Sequence, residues 1–259
     1  MLDFQGIESI RIPPPSIRFQ PNPSYDSIEH IWKFHCFGLS DDKIVCTDNS
    51  GLAFLCDAAS RSVVTMPSLH TPKWFPISFS VPDHEQHGGG SRRLYIMEKA
   101  PQPHQDAGQF EAFLYTTSET SFRKSWQRRS LHLPPYVLEP GYRSVRIQSD
   151  AVLGGGSHLC ISAPGHGTYC FDTASREWSH AGDWMLPIYG KAEYVPELNL
   201  WFDLSEHDGD LHPCVSDLSS ALKGQKPTVH DVWARNYPPE WDFLGITNIV
   251  SLGSEKFHL

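Results

Sequence analysis

The densest group of metal-ligating side chains in this 259-residue chain is His84-Glu85-Gln86-His87. Two imidazoles three positions apart with a carboxylate beside them suit a divalent ion, but no third ligand is apparent and Gly88-Gly89-Gly90 follows. His158, His166 and His180 fall on and around predicted strands, where alternation scatters side chains over two faces. A serine nucleophile needs a sharp Gly-x-Ser-x-Gly elbow. The nearest candidates, Gly90-Ser91 and Gly156-Ser157-His158, lack the second glycine. The glycine triplets run into Ser-Arg and Ser-His rather than Lys-Ser or Lys-Thr, so no phosphate cradle is present. Asp208-Gly209-Asp210 begins like a calcium loop, yet no Glu closes it at the twelfth position. Asp41-Asp42 and Glu240 with Asp242 read as solvated turns. No catalytic residue, metal ligand or cofactor is assigned, and the chain is expected not to be an enzyme.

Charge points the same way. The 21 Lys and Arg against 30 Asp and Glu give a net charge of −9, which disfavours binding a phosphate backbone. Arg123, Lys124, Arg128 and Arg129, clustered around Trp126, read as a solvated hairpin rim. No apolar run approaches the roughly 18 residues that cross a bilayer, and Met1-Leu2-Asp3-Phe4-Gln5 does not open a signal peptide. The expectation is a cytoplasmic or nuclear protein with neither nucleic-acid nor membrane partners. Cys36, Cys46, Cys56, Cys160, Cys170 and Cys214 form no Cys-x-x-Cys pair and sit in or beside apolar runs. They are expected to be reduced and buried, without a disulfide framework.

Residues 1–40 are irregular, with Ile12-Pro13-Pro14-Pro15 extended and room for one strand. Beyond residue 40 short β-branched and aromatic runs alternate with Gly, Asn, Asp, Ser and Pro, which predicts strands and turns. Lys43–Thr47, Leu52–Cys56 and Ser62–Met66 form a legible three-stranded meander. The same grammar returns at Gly154-Gly155-Gly156-Ser157, His158–Ser162, Thr168–Phe171 and Asp172 to Trp178. Asp57-Ala-Ala-Ser60-Arg61 and Asp172-Thr-Ala-Ser175-Arg176 match at four of five positions, 115 residues apart. That distance fits two units with one between, at roughly 40 to 50 residues per propeller blade. The intervening unit spans Ser91–Met97, Phe110–Tyr115 and Trp126–Leu133, and a fourth runs from Glu193 to Trp233. In each corner an Asp bonds ahead to the backbone, and an aromatic such as Trp178 packs against the next blade.

These features resemble kelch blades, which carry a glycine pair after an inner strand and a Tyr and a Trp around an Asp-rich turn. Gly154-Gly155, Tyr169 and Trp178 fall in that order. More narrowly, the stretch from Thr168 to Trp184, continuing through Ala192 to Trp201-Phe202, is similar to an uncharacterised plant family, largely from cereal grasses, known as a domain of unknown function. The resemblance implies an all-β, kelch-like β-propeller over residues 41–259 with an incompletely closed last blade, and four units plus the sequence at both ends give five or six blades, six slightly preferred. Only the third unit carries the glycine pair with both aromatics. The structural-repeat residues are Asp57, Ser60, Arg61, Gly154, Gly155, Tyr169, Asp172, Ser175, Arg176, Trp178, Trp184 and Trp201.

Fold-level analogy then gives the functional expectation: a monomeric, non-enzymatic interaction module whose loops hold a protein or peptide partner. Substrate recognition in a ubiquitin ligase, without an F-box of its own, is the narrower form. The alternative is a propeller enzyme, or a small-molecule or glycan binder, using acidic or His side chains at the mouth of the central channel.

Overall fold

Sixteen of the chain's strands fall into four consecutive antiparallel meanders, each of four strands. The computed structural model describes residues 33–83, 92–103, 108–117, 123–207 and 210–233, the backbone of 250–253 and 256–258, and the isolated Pro14 and Gln20. The groups at 84–87 and 240–242, Gly88-Gly89-Gly90, Ser91 and the turn at 208–209 lie outside the described residues.

The first meander is β1 (Phe34–Ser40), β2 (Lys43–Asp48), β3 (Ala53–Asp57) and β4 (Ser62–Met66); the second is β5 (Pro76–Pro82), β6 (Arg92–Glu98), β7 (Phe110–Thr117) and β8 (Lys124–Ser130). The third is β9 (Ser149–Leu153), β10 (His158–Ala163), β11 (Gly167–Asp172) and β12 (Trp178–Gly182); the fourth is β13 (Tyr189–Val195), β14 (Leu200–His207), β15 (Asp210–Asp217) and β16 (Thr228–Val232). A hairpin of β17 (Val250–Gly253) and β18 (Lys256–His258) ends the chain. The third and fourth meanders join into one eight-stranded sheet, because β9 pairs in parallel with β13 through Ser149 with Gly190 and Asp150 with Lys191.

Short side chains that bond to their own backbone close the hairpins. The Asp48 carboxylate accepts the N–H groups of Ser50 at 2.9 Å and Leu52 at 3.0 Å between β2 and β3. Asp57 accepts the Ser60 N–H at 2.9 Å, and Asp172 accepts those of Ala174 at 2.8 Å and Ser175 at 3.0 Å. Both turns end in a left-handed arginine, Arg61 at φ 53° and Arg176 at φ 63°. The repeated pentapeptide is therefore one turn built twice.

Period-two alternation on the central strands feeds two packing layers at once. Leu94 and Ile96 of β6 join Phe37, Val45 and Leu55 of the first meander, whereas their neighbours Tyr95 and Met97 join Leu159, Ile161 and Phe171 of the third. On β10 and β11, Cys160 and Cys170 face the other way, toward Ile188, Trp201 and Cys214 of the fourth. Phe202, Leu204 and Val215 supply a further layer on the far side of β14 and β15, capped by Trp233. Each inner sheet is thus covered on both faces by its neighbours, and the first strands β1, β5, β9 and β13 line one shared opening. This is an all-β, propeller-like stacking of sheets, each too small to bury its own faces.

Two expectations about the cysteines are corrected. Cys160 and Cys170 are directly opposed on β10 and β11, with Cα atoms 4.1 Å apart, and form a disulfide. Both lie buried in apolar surroundings, as their sequence context predicts, but the pairing depends on strand register, which that context does not reveal. The bridge also removes the support that uniformly reduced cysteines lent to a cytoplasmic or nuclear location. Cys36, Cys46, Cys56 and Cys214 are free thiols, but Cys36 is exposed rather than buried, because it stands on β1 at the open side of the sheet. Among the described residues, no helix is long and apolar enough to cross a membrane.

Candidate functional site: the axial opening

The shared opening has a volume of about 1810 Å³ and is walled by β1, β5, β9 and β13, with Lys99, Arg146 and Gly154-Gly155-Gly156 between them. The segment joining β4 to β5 reaches this opening at Phe75. Within that segment the Lys73 ammonium, 3% exposed as a residue, donates to the Glu111 carboxylate of β7 at 2.6 Å and to the carbonyls of Thr71 and Gly108. Burial pulls the Lys73 ammonium below the usual lysine range, while Glu111 opposes that shift. Glu111 also accepts the His70 N–H at 2.9 Å and faces Arg128 at 3.5 Å. Arg128, placed by the sequence on a solvated rim, therefore takes part in a partly buried ion network.

Two residues further along, the Glu98 carboxylate accepts the N–H groups of Trp74 at 2.9 Å and Phe75 at 3.1 Å. With its backbone held at both places, the segment leaves Trp74 65% and Phe75 56% exposed, although large aromatics ordinarily bury. Lys33 Nζ lies 4.0 Å from the Trp74 ring centroid, and the Arg146 guanidinium stands 5.4 Å from that of Phe75. Phe75 and Arg146 line the opening, with Trp74 and Lys33 beside their neighbours Phe75 and Phe34, so this edge is aromatic and cationic.

The opposite wall is ionic. Asp150 of β9 lines the opening beside Lys191 and Glu193 of β13, yet the residue is only 3% exposed and its Oδ2 has no hydrogen-bond partner among the described residues. Burial pushes its carboxyl up to about 7 against the pull of Lys191 and Lys99. Behind it Asp203 of β14 is 1% exposed, and neither of its carboxylate oxygens has a hydrogen-bond partner among the described residues. Burial, reinforced by Asp150 and Glu193, pushes Asp203 up to about 9. Burial also raises Glu193. The pair therefore retains protons near neutrality, when ordinary carboxylates are ionised. Asp150 can donate a hydrogen bond when protonated and accept one when ionised, while Lys99 and Lys191 supply positive charge nearby.

Of the repeat residues read from the sequence, Gly154, Gly155 and Trp201 reach this opening. Gly154, Gly155 and Gly156 all have positive φ, and a Cβ on Gly156 would sit 2.9 Å from Pro82 Cδ, so the turn after β9 approaches β5 closely. The Trp201 indole N–H donates to the Val152 carbonyl at 2.9 Å and its ring packs on Tyr194 at 4.7 Å. Trp178 donates to the His132 carbonyl at 2.9 Å and contacts Phe171 at 5.1 Å and Phe110 at 5.7 Å, across the second and third meanders. Tyr169 lies in the same layer against Tyr136 and His180. Trp184 covers Gly182, leaving no room there for a side chain. Asp57, Ser60, Arg61, Asp172, Ser175 and Arg176 sit in the β3–β4 and β11–β12 turns, away from the opening.

Sequence reasoning missed Trp74, Phe75, Lys99, Arg146, Asp150 and Asp203. Two left a signal. Asp150 interrupts the strand-like Ala151-Val152-Leu153 run at its start, and Asp203 interrupts Leu200-Trp201-Phe202-Leu204. A carboxylate inside an apolar strand demands an explanation.

No curated protein matches the chain. Among solved structures it is similar to a structural-genomics protein of unknown function from Bacteroides thetaiotaomicron, with TM-score 0.41 and 10% identity over 71% of this chain and 41% of that one. It is also similar to the β-propeller domain of Myceliophteria thermophila Cps50 (Swd1), with TM-score 0.38 and 11% identity over 66% of this chain and 49% of that one. A third is BBS1N, solved in complex with ARL6DN, with TM-score 0.40 and 10% identity over 79% of this chain and 54% of that one. The chain spans about half or less of the length of these structures, and at such TM-scores they decide neither its fold nor its activity. The packing of its own sheets carries the fold. Residues 3–259 match the family described as protein of unknown function (DUF1668), and the chain belongs to that family.

Proposed function

We propose that this chain is a non-enzymatic, kelch-like propeller module whose axial opening holds an extended segment of a partner protein rich in apolar and acidic side chains. The observation that carries the reading is the pairing of exposed Phe75 with Arg146, both lining an opening of about 1810 Å³, next to the exposed Trp74 and its partner Lys33. Small-molecule sites run to roughly 300–1,000 Å³ and enclose their ligand, so this opening suits a chain segment better. Aromatic and arginine side chains with buried backbone support are the usual anchors of protein interfaces. Lys99 and Lys191 place further positive charge along the path of an acidic segment.

A peptide library displayed against the whole protein, followed by titration of the selected peptides, tests this. Enrichment of acidic, apolar peptides whose affinity falls about tenfold or more, roughly 1.4 kcal/mol, in Trp74→Ala is the expected result. Selected peptides that bind Trp74→Ala and Lys99→Glu as well as the wild type would reject it.

The Asp150 and Asp203 pair favours a second reading, in which the opening binds a small polar ligand or glycan over the Asp150 carboxyl. Under that reading an array of sugars and metabolites yields a ligand whose binding is lost in Asp150→Asn but kept in Trp74→Ala. The peptide reading predicts the reverse dependence.

A further inference from the structure

Three of the free thiols stand on the first meander, separated from one another by ten residues: Cys36 on β1, Cys46 on β2 and Cys56 on β3. Cys36 and Cys46 are directly opposed in the β1–β2 register, and their sulfurs lie 3.7 Å apart. Cys46 and Cys56 are offset instead, since Cys46 faces Phe54 and Cys56 faces Ile44. Cys36 is exposed and lines the axial opening, whereas Cys46 is buried behind it. The third meander holds the same arrangement, two cysteines ten apart and directly opposed on adjacent antiparallel strands, and there the pair is bridged.

We infer that Cys36 and Cys46 are an oxidisable dithiol at the mouth of the axial opening, with Cys36 the sulfur that reacts with a peroxide and Cys46 the one that closes the disulfide. The Cys36 thiolate attacks one oxygen of hydrogen peroxide, the O–O bond breaks, and hydroxide leaves to become water on taking a proton. The sulfur is then a sulfenic acid. The Cys46 sulfur attacks it, the S–O bond breaks, and the departing hydroxide takes the Cys46 proton as a second water. Overall two thiols and one peroxide give one disulfide and two waters, with peroxide the two-electron oxidant. Burial and the neighbouring Cys36 and Cys56 hold the Cys46 thiol well above the usual cysteine range, which keeps it protonated until an electrophilic sulfur is next to it. Exposure gives Cys36 the first encounter with oxidant. The product staples β1 to β2 and so stiffens one wall of the opening.

Trypsin separates the participants, because Lys33, Lys43 and Arg61 place Cys36 on the fragment 34–43 and both Cys46 and Cys56 on 44–61. The full-length protein, treated with a few equivalents of hydrogen peroxide, alkylated and digested without reduction, is expected to yield 34–43 linked to 44–61. The link should survive Cys56→Ser and vanish in Cys46→Ser, where a sulfenic-acid probe labels Cys36 instead. Three results would overturn the inference: Cys36 left fully alkylated, Cys36 driven to the sulfinic acid without a link, or a loss of two hydrogens within 44–61 that marks a Cys46–Cys56 bridge. A further cut before Asp48 with an Asp-specific protease separates Cys46 from Cys56 in the wild type, so a link that stays on the Cys56 piece also overturns the inference and misfolding of a serine variant does not blunt the test. The result is also independent of whether the opening binds a peptide.

Discussion

Asp203 stands in β14 between Phe202 and Leu204, 1% exposed and with neither oxygen hydrogen-bonded among the described residues. A carboxyl in that position is tolerated because it keeps its proton, and the thermodynamic consequence has a definite sign. An unfolded aspartate titrates near pH 4, whereas folding raises Asp150 to about 7 and Asp203 to about 9. Between those limits the unfolded chain has released protons that the folded chain retains. The stabilisation is fully present below about pH 4 and is lost as pH rises, through about 7 for Asp150 and about 9 for Asp203. Asp203→Asn removes the larger shift while keeping shape. In thermal melts between about pH 5 and 9, the wild type is expected to lose roughly 5–10 °C more than Asp203→Asn, the equivalent of a few kcal/mol. Parallel pH profiles for the two proteins would show that Asp203 ionises freely.

At the scale of elements, the segment from Met66 to Pro76 shows how a loop is made rigid enough to present side chains. Between those two strand residues it has no ladder pairing, and its order comes from Lys73 reaching Glu111, from Glu98 receiving two backbone N–H groups and from the Leu69 N–H donating to the Gly51 carbonyl at 2.7 Å. Removing the ammonium leaves a buried carboxylate whose partners among the described residues are the His70 N–H and the more distant Arg128. Lys73→Met is therefore expected to destabilise the fold by about 3 kcal/mol in urea titration, because breaking a buried pair leaves an uncompensated charge. Replacing Lys73 and Glu111 together by Met and Leu should recover most of that loss, since both charges then disappear. None of this was legible from Lys73 or Glu111 alone, which lie 38 residues apart in unremarkable contexts. The hairpin corners were legible, because an Asp bonding two or three residues ahead is local chemistry. Asp57 and Asp172 make in space the turns that their neighbours in the chain imply.

For the whole molecule, stability resides in the layers between sheets. The layer between the second and third meanders includes Tyr95, Phe110, Phe171 and Trp178, with Phe110 and Phe171 centroids 5.0 Å apart. Trp178→Ala, at a half-buried position, is expected to cost about 2–3 kcal/mol and to lower the unfolding midpoint of both sheets together. Separate transitions for the two sheets by tryptophan fluorescence and circular dichroism would mean that the layer does not couple them. The amino-acid sequence by itself determined the class of structure: strand-length apolar runs, turn chemistry at regular intervals and the repeated Asp-Ser-Arg corner leave little but stacked antiparallel sheets. Those are interactions among residues a few positions apart. Tertiary structure alone decided which cysteines meet, where the ion network of Lys73, Glu111 and Arg128 forms, and that Asp150, with Asp203 buried near it, lines an opening that Phe75 also lines. Each of those depends on strand register and on which sheet edges approach the common opening, quantities set by contacts between residues distant in the chain.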